Sequence, residues 1–105
     1  MTGMRLTLTL AIGLLFSGSA LAAGDPAHGH QLAQQWCASC HVVDQDQATA
    51  SADVASFYTI AKSENLTPDG LSAFLADPHP VMPNMSLSRG EIADLVAYIV
   101  SLREK

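Results

Sequence analysis

Cationic side chains are scarce in this sequence of 105 residues, in which lysine and arginine together number five against ten aspartates and glutamates. If residues 1–22 are removed, as argued below, four basic residues remain against ten acidic ones, a net charge of −6. Such a surface disfavours binding to nucleic acid and to anionic membranes. It favours a protein partner that carries a basic docking face.

Long apolar runs are also scarce: the sequence has one such run, which lies near its start. A basic start that includes Arg5 precedes the apolar run Leu6 to Phe16, and small residues ending in Ala20-Leu21-Ala22 follow it. This order is typical of a secretory signal peptide, and the run is too short to span a bilayer comfortably as an uncleaved anchor. We therefore expect residues 1–22 to be cleaved off. Residues 23–105 should then form one exported, periplasmic domain without stable membrane insertion.

Cysteine is the third scarcity, with Cys37 and Cys40 as the two examples. The expected mature chain of 83 residues can form only a thin core. Small exported domains usually supplement such a core with disulfides or a metal centre. A disulfide between these two cysteines would close a very short loop and stabilise little. The chain therefore needs another centre for its core.

The sequence does contain the stretch Cys37-Ala38-Ser39-Cys40-His41. Two thiols three positions apart, followed at once by histidine, form the pattern of c-type haem attachment. Each thiol can add across one haem vinyl group, and the imidazole of His41 can bind the iron as its proximal ligand. A covalently bound, largely apolar haem c would also provide the missing centre of the core.

Three other interpretations compete for this motif. A thioredoxin-like redox pair needs a strand–helix–strand context, and no alternating strand pattern of any length is present. A structural zinc site needs four ligands, of which the stretch supplies three at most. A plain disulfide is compatible with export but leaves His41 unexplained. The motif and the export signal together favour one covalent haem.

Local signals predict an all-α domain of about four helices. Asp25-Pro26 and Thr67-Pro68 each combine an N-cap with proline in the first turn, and Ser88 with Glu91 forms a capping box. The region between His41 and the second helix is expected to be a loop. The predicted helices run from about Pro26 to Cys37, Val54 to Lys62, Thr67 to Asp77 and Ser88 to Leu102.

Apolar residues at helical spacing predict which side chains face the core. On the first helix, His28 and His30 are expected to be exposed and without a role. The side chains expected to line the haem pocket or the helix crossing are Trp36, Phe57, Leu71, Phe74, Leu75 and Leu95.

A proximal histidine leaves the sixth iron position to be filled, and methionine is a usual ligand there that raises the reduction potential. The expected mature chain has two methionines, Met82 and Met85, in or beside a segment that three prolines stiffen. Met82 is preferred because Pro80 and Pro83 brace its backbone. Met85 is the second candidate, and His79 is the third.

Residues 23–105 resemble the class I cytochromes c in their small bacterial form. Family members carry a glycine eight residues before the first haem cysteine, as Gly29 does here. The Met82-Pro83 pair before the last helix also matches the family, as do Leu95 and Tyr98, a leucine and an aromatic three residues apart. The resemblance covers the whole expected mature chain.

The resemblance implies the cytochrome c fold, in which the first helix crosses the last near Gly29 and Tyr98. It also implies that Met82, sixteen residues before Tyr98, is the sixth ligand. The sequence departs from the family where Ala55 stands in place of a proline whose carbonyl accepts the proximal histidine N–H. Every residue has a backbone carbonyl, so Ala55 can still accept that bond from His41, but the sequence does not identify the acceptor. The lysine-ringed docking face of mitochondrial relatives is absent.

The sequence therefore predicts a periplasmic electron carrier, not an enzyme. Cys37 and Cys40 are the expected covalent haem attachment sites, and His41 and Met82 the expected axial ligands. An alternative is a haem-based gas sensor or weak peroxidase that acts when the Met82 sulfur dissociates. A lower alternative is a haem-free thiol–disulfide module.

Overall fold

The computed structural model describes residues 2–3, 13, 24–51, 53–78 and 81–105. Almost all of the predicted signal peptide, together with His79 and Pro80, lies outside these described residues. Within them the chain forms four α-helices and no strand, which confirms the all-α prediction. The elements in chain order are α1 (Pro26–Trp36), α2 (Phe57–Ala61), α3 (Pro68–Ala76), α4 (Arg89–Ser101) and a 3-10 helix (Leu102–Glu104).

Side-chain caps start each helix. The Asp25 carboxylate accepts the Ala27 N–H at 2.9 Å, and the Thr67 hydroxyl accepts the Gly70 N–H at 3.0 Å. In α4, Ser88 and Glu91 form the reciprocal bonds of a capping box. These bonds satisfy N–H groups that have no acceptor within the helix, and they confirm the three predicted helix starts.

The second helix is shorter than predicted, because it starts at Phe57 rather than at Val54. Ser56 caps it by accepting the Thr59 N–H at 3.1 Å. The Phe57 N–H donates back to the Val42 carbonyl at 2.9 Å, which ties the helix start to the residue after the haem motif. The preceding residues are thereby held as part of a loop.

The first and last helices cross at Gly29, as the family resemblance implies. A Cβ atom on Gly29 would lie 1.9 Å from the Asp94 backbone oxygen and 2.9 Å from the Tyr98 Cβ. Atoms cannot approach so closely, and only glycine therefore permits this packing. The crossing brings the end of α1, where the haem motif begins, against α4.

The core lies between α4 and the other three helices, with Leu95, Ile99 and Val43 as its most fully buried large side chains. The prediction for Trp36 is wrong, because this side chain is 46% exposed. It is the last residue of α1, and helical spacing indicates a face without showing how far along that face a neighbouring element extends.

Within the parts of the chain that the structure describes, no helix has both the length and the apolar character needed to cross a membrane.

Candidate haem site

The haem motif forms a tight turn at the end of α1. The N–H groups of Cys37 and Ala38 both donate to the Ala33 carbonyl, at 2.9 and 3.0 Å. The Cys40 and His41 N–H groups then both donate to the Cys37 carbonyl, at 3.1 and 2.8 Å. These bonds keep the two thiols and the imidazole on one short segment anchored to α1.

The two cysteines are both free thiols, in different surroundings. Cys37 is buried and Cys40 is exposed. Burial raises the pKa of the Cys37 thiol to about 11, so this thiol is protonated at neutral pH. No disulfide joins the pair in this structure, and each sulfur remains available for a thioether bond.

The His41 ring is oriented by a backbone carbonyl. Its Nδ1 lies 2.6 Å from the Ala55 oxygen, a distance at which Nδ1–H donates. Because the proton is then on Nδ1, the lone pair of Nε2 is free to bind a metal. The Phe57 ring also contacts the imidazole, with centroids 5.4 Å apart. The acceptor that the sequence left open is therefore the carbonyl of Ala55, the residue in place of the family's proline.

An apolar cavity, which we call the inner cavity, lies beside the motif. Cys37, His41 and Met82 line this cavity. The rest of the wall is apolar and consists of Phe57, Ile60, Leu71, Phe74, Leu75, Leu95 and Ile99.

A second, outer cavity adjoins the first, because His41 and Met82 line both. Its wall adds Cys40 and the exposed Val81. One cysteine thus lines each cavity, and His41 and Met82 line both. An apolar space with two thiols, one oriented imidazole and one thioether provides the donor set that a covalent haem c requires, and the residues present fit that group.

The two cavities distinguish between the candidate ligands for the sixth iron position. Met82 lines both cavities, whereas Met85 lines neither. His79 lies outside the described residues. Of the predicted lining residues, Phe74 reaches the inner cavity although it is 40% exposed, and Trp36 does not.

Two lining residues were missed by the sequence interpretation, Ile60 and Ile99. Both were detectable, because Ile60 lies three residues after Phe57 and Ile99 four residues after Leu95, the spacings that place side chains on one helix face. Both residues therefore lie on the same helix faces as lining residues that the sequence predicted.

The histidines of α1 have partners that the sequence did not reveal. His28 is exposed as expected, but its Nδ1 lies 2.5 Å from an Asp94 carboxylate oxygen. The expectation for His30 is wrong: it is half-buried, stacks on Tyr98 at 4.7 Å and bonds Asp44 at 2.7 Å. That bond lowers the pKa of Asp44. Both histidines join α1 to other parts of the chain.

The described residues contain no group of three or more His, Cys, Asp and Glu side chains placed to hold a metal ion. Among these described residues, the acidic side chains and the other histidines do not converge on the two thiols, as a tetrahedral zinc site would need.

Comparison with known proteins identifies the family. Residues 24–99 match the family described as cytochrome c oxidase, cbb3-type, subunit III. The chain is 49% identical over 96 residues to "Cytochrome c-552" of Bradyrhizobium diazoefficiens, covering 91% of this chain and 92% of that protein. No solved structure matches. The chain therefore belongs to the small class I c-type cytochromes, the family of haem c electron-transfer proteins that its sequence resembles.

Proposed function

We propose that the protein is a periplasmic one-electron carrier that performs no bond chemistry. The observation that carries the proposal is the shared position of His41 and Met82, which line the same two cavities. The residues that would hold the haem are Cys37 and Cys40, through thioether bonds, and His41 and Met82, as axial ligands of the iron.

When bound, haem c supplies an iron that changes between the ferric and ferrous states. The protein's own contribution is to orient and to exclude water. The Ala55 carbonyl holds the His41 ring with Nε2 free. As the sixth ligand, Met82 would keep water and gases from that position. The apolar wall of the inner cavity lowers the local dielectric constant and leaves water few partners.

The partner that we propose is a redox protein with a basic docking face. The predicted mature chain carries a net charge of −6, which attracts a positively charged surface and repels nucleic acid. Because the matching family is described as a subunit of an oxidase, an oxidase is a suitable first candidate for a pull-down experiment. Loss of that binding at high salt would support electrostatic docking.

Covalent attachment is tested by expression with and without a haem c maturation system. We expect one haem per chain that stays attached after denaturation, as measured by intact mass. The Cys37→Ala/Cys40→Ala double variant is the control and should release its haem. The same intact-mass measurement also shows whether residues 1–22 have been removed. A haem-free product that folds and functions would contradict the proposal.

The sixth ligand is tested by two matched substitutions, Met82→Ala and Met85→Ala. We expect the sulfur-to-iron charge-transfer band of the ferric protein to disappear in Met82→Ala and to persist in Met85→Ala. The reverse result would show that the assignment of Met82 is wrong.

Carbon monoxide separates electron transfer from gas sensing. We expect slow, weak binding to the reduced protein at neutral pH, because the Met82 sulfur must first leave the iron. Met82→Ala should bind carbon monoxide rapidly. Rapid, tight binding by the unmodified protein would argue against a simple carrier.

A further inference from the structure

The side chain of Gln47 uses both ends of its amide within the loop that follows the haem motif. Its Nε2 lies within hydrogen-bonding distance of three backbone carbonyls, and its Oε1 accepts the Val43 N–H at 2.9 Å. The three carbonyls are those of Ala38 at 2.9 Å, His41 at 2.8 Å and Thr49 at 3.1 Å. Two of these groups, Ala38 and His41, belong to the motif itself.

The orientation of this amide is fixed by its neighbours. Rotating the Gln47 amide by half a turn would place its oxygen against three carbonyl oxygens and its NH₂ against the Val43 N–H. Both contacts would be repulsive, so the structure permits one assignment. Gln47 is half-buried, and the bonds are therefore partly shielded from competition by water.

The backbone from His41 to Val43 is thereby held at successive groups. Gln47 binds the His41 carbonyl and the Val43 N–H, and the Phe57 N–H binds the Val42 carbonyl. The buried Tyr98 hydroxyl donates to the Val43 carbonyl. Because no helix or strand covers this segment, side chains from elsewhere supply the partners that secondary structure would otherwise provide.

The rest of the loop is tied to α1 by a second side chain. The Asp44 carboxylate accepts from His30 at 2.7 Å and from Gln34 at 2.8 Å. These two bonds hold the outside of the loop. Gln47 differs from Asp44 because it reaches back to the residue that is proposed to bind the iron.

We infer that Gln47 is a positioning residue for the proximal ligand: it fixes the backbone of His41 and thereby the plane of the imidazole toward the iron. The inference rests on the proposed function, in which His41 binds haem.

The test compares Gln47→Glu and Gln47→Leu with Gln45→Glu and Gln45→Leu. Gln45 is exposed and lies two residues away, so its variants reproduce the change in charge or polarity without breaking these bonds. Gln47→Glu keeps the shape but directs a carboxylate oxygen at carbonyls, whereas Gln47→Leu removes every bond.

The first measurement is hydrogen exchange of the Val43 amide. We expect it to be about tenfold faster in Gln47→Leu, the factor that corresponds to the loss of roughly one hydrogen bond. Gln45→Leu should leave it unchanged. In the unmodified protein the Gln47 NH₂ protons should exchange more slowly than those of Gln45. Equal rates for the two side chains would overturn the inference even if the Gln47 variants fail to fold.

The second measurement reports the imidazole plane, through the rhombicity of the ferric EPR signal and the spread of the haem methyl NMR shifts. Both should change in Gln47→Glu and in Gln47→Leu, and neither should change in the Gln45 variants. Faster Val43 exchange with unaltered spectra would show a structural role alone and would overturn the positioning role.

Failure of the proposed function is recognised separately. If the unmodified protein carries no covalent haem by mass, the proposed function fails. The inference about His41 as an iron ligand fails with it, while Val43 exchange still reports whether Gln47 holds the loop. If the haem is present, the spectra test the inference by itself.

Discussion

The two sides of the proposed iron site are held in different ways. On the His41 side, partners distant in sequence fix both the imidazole ring and the backbone. The Ala55 carbonyl accepts a hydrogen bond from the His41 ring, and the Tyr98 hydroxyl donates to the Val43 carbonyl. On the Met82 side, the described residues 81–87 make no backbone-to-backbone hydrogen bond with other described residues. A local bond, from the Ser86 N–H to the Asn84 side chain at 2.8 Å, shapes that loop.

Because of this difference, the two sides should respond differently to amino-acid substitutions. The His41 side depends on α1 and α4 remaining in contact, so substitutions far from it in sequence should disturb it. The Met82 side depends on the stiffness of its own loop, where Pro83 fixes one backbone angle. Ser86 there has a left-handed φ of 53°. Substitutions on the two sides should therefore differ in magnitude and in sign.

The largest effect is expected from Gly29→Ala, which breaks the contact that the His41 side needs. Helix propensity alone would make alanine more favourable by about 1 kcal/mol. The new Cβ would however lie 1.9 Å from the Asp94 backbone oxygen, so α1 and α4 must separate. We expect a net loss of about 3 kcal/mol in the free energy of unfolding, measured by denaturant titration.

Gly90→Ala is the matched control for that prediction. This glycine lies in the first turn of α4, and a Cβ there would meet its nearest atom, the Ser88 Oγ, at 3.9 Å. Stability should therefore rise by up to about 1 kcal/mol. Equal effects at the two glycines would show that the crossing does not limit stability.

Tyr98→Phe should have the next largest effect, because it leaves the buried Val43 carbonyl without its donor. The ring that stacks on His30 is retained. We expect a loss of about 2 kcal/mol in the free energy of unfolding. Tyr58→Phe removes a hydroxyl from a half-buried tyrosine and should lower the free energy of unfolding by less. A larger loss of stability in Tyr58→Phe than in Tyr98→Phe would show that the bond to Val43 is not important for stability.

Ser86→Gly tests the Met82 side and should act in the opposite direction. A left-handed φ is unfavourable for serine and neutral for glycine. Relief of that strain should outweigh the added freedom of the unfolded chain, for a gain of about 0.5 kcal/mol in unfolding free energy. Ser63→Gly is the control, because Ser63 has no positive φ, and it should lose stability. A loss at Ser86 would argue that its loop is unstrained.

The smallest effect concerns the exposed His28–Asp94 pair at the crossing. A hydrogen bond to Asp94 raises the pKa of His28 above its usual 6.5, and the same bond lowers the pKa of Asp94 below 3.8. Protonated His28 stabilises the folded protein, and this stabilisation is lost as pH rises through the raised pKa of His28. Ionised Asp94 also stabilises the folded protein, and this stabilisation is lost as pH falls through the lowered pKa of Asp94. The pair therefore stabilises most between these two usual values.

His28→Ala should consequently lower the melting temperature more at pH 5 than at pH 8.5. The comparison is repeated in an Asp94→Asn background, where the amide oxygen can still accept the Asp25 N–H. There the difference between the two pH values should shrink, because only the weaker attraction of Asp25 and Glu91 still raises the pKa of His28. An undiminished difference in that background would assign the pH dependence to another group.

Much of the fold was predictable because its signals are local. Asp25, Thr67 and Ser88 mark helix starts within a few residues of themselves, and Gly29 matches a family spacing. Gln47 and His30 were not recognised, because a polar side chain that bonds a distant backbone or carboxylate leaves no periodic pattern in the sequence. Trp36 was misplaced for the related reason that spacing defines a face but not what covers it.

The crossing at Gly29 also has a consequence for the order in which the chain can fold. Asp25 and Asp94, joined by a bond of 2.7 Å, are 69 residues apart. Bringing such distant residues together costs roughly 4 kcal/mol of chain entropy beyond a constant. That cost is recovered only when α4 packs against α1. A chain that lacks α4 carries the complete Cys37–His41 motif but lacks the part of the cavity wall that Leu95 and Ile99 provide. In the proposed function, the two cysteines can therefore react with haem before the pocket around it is complete.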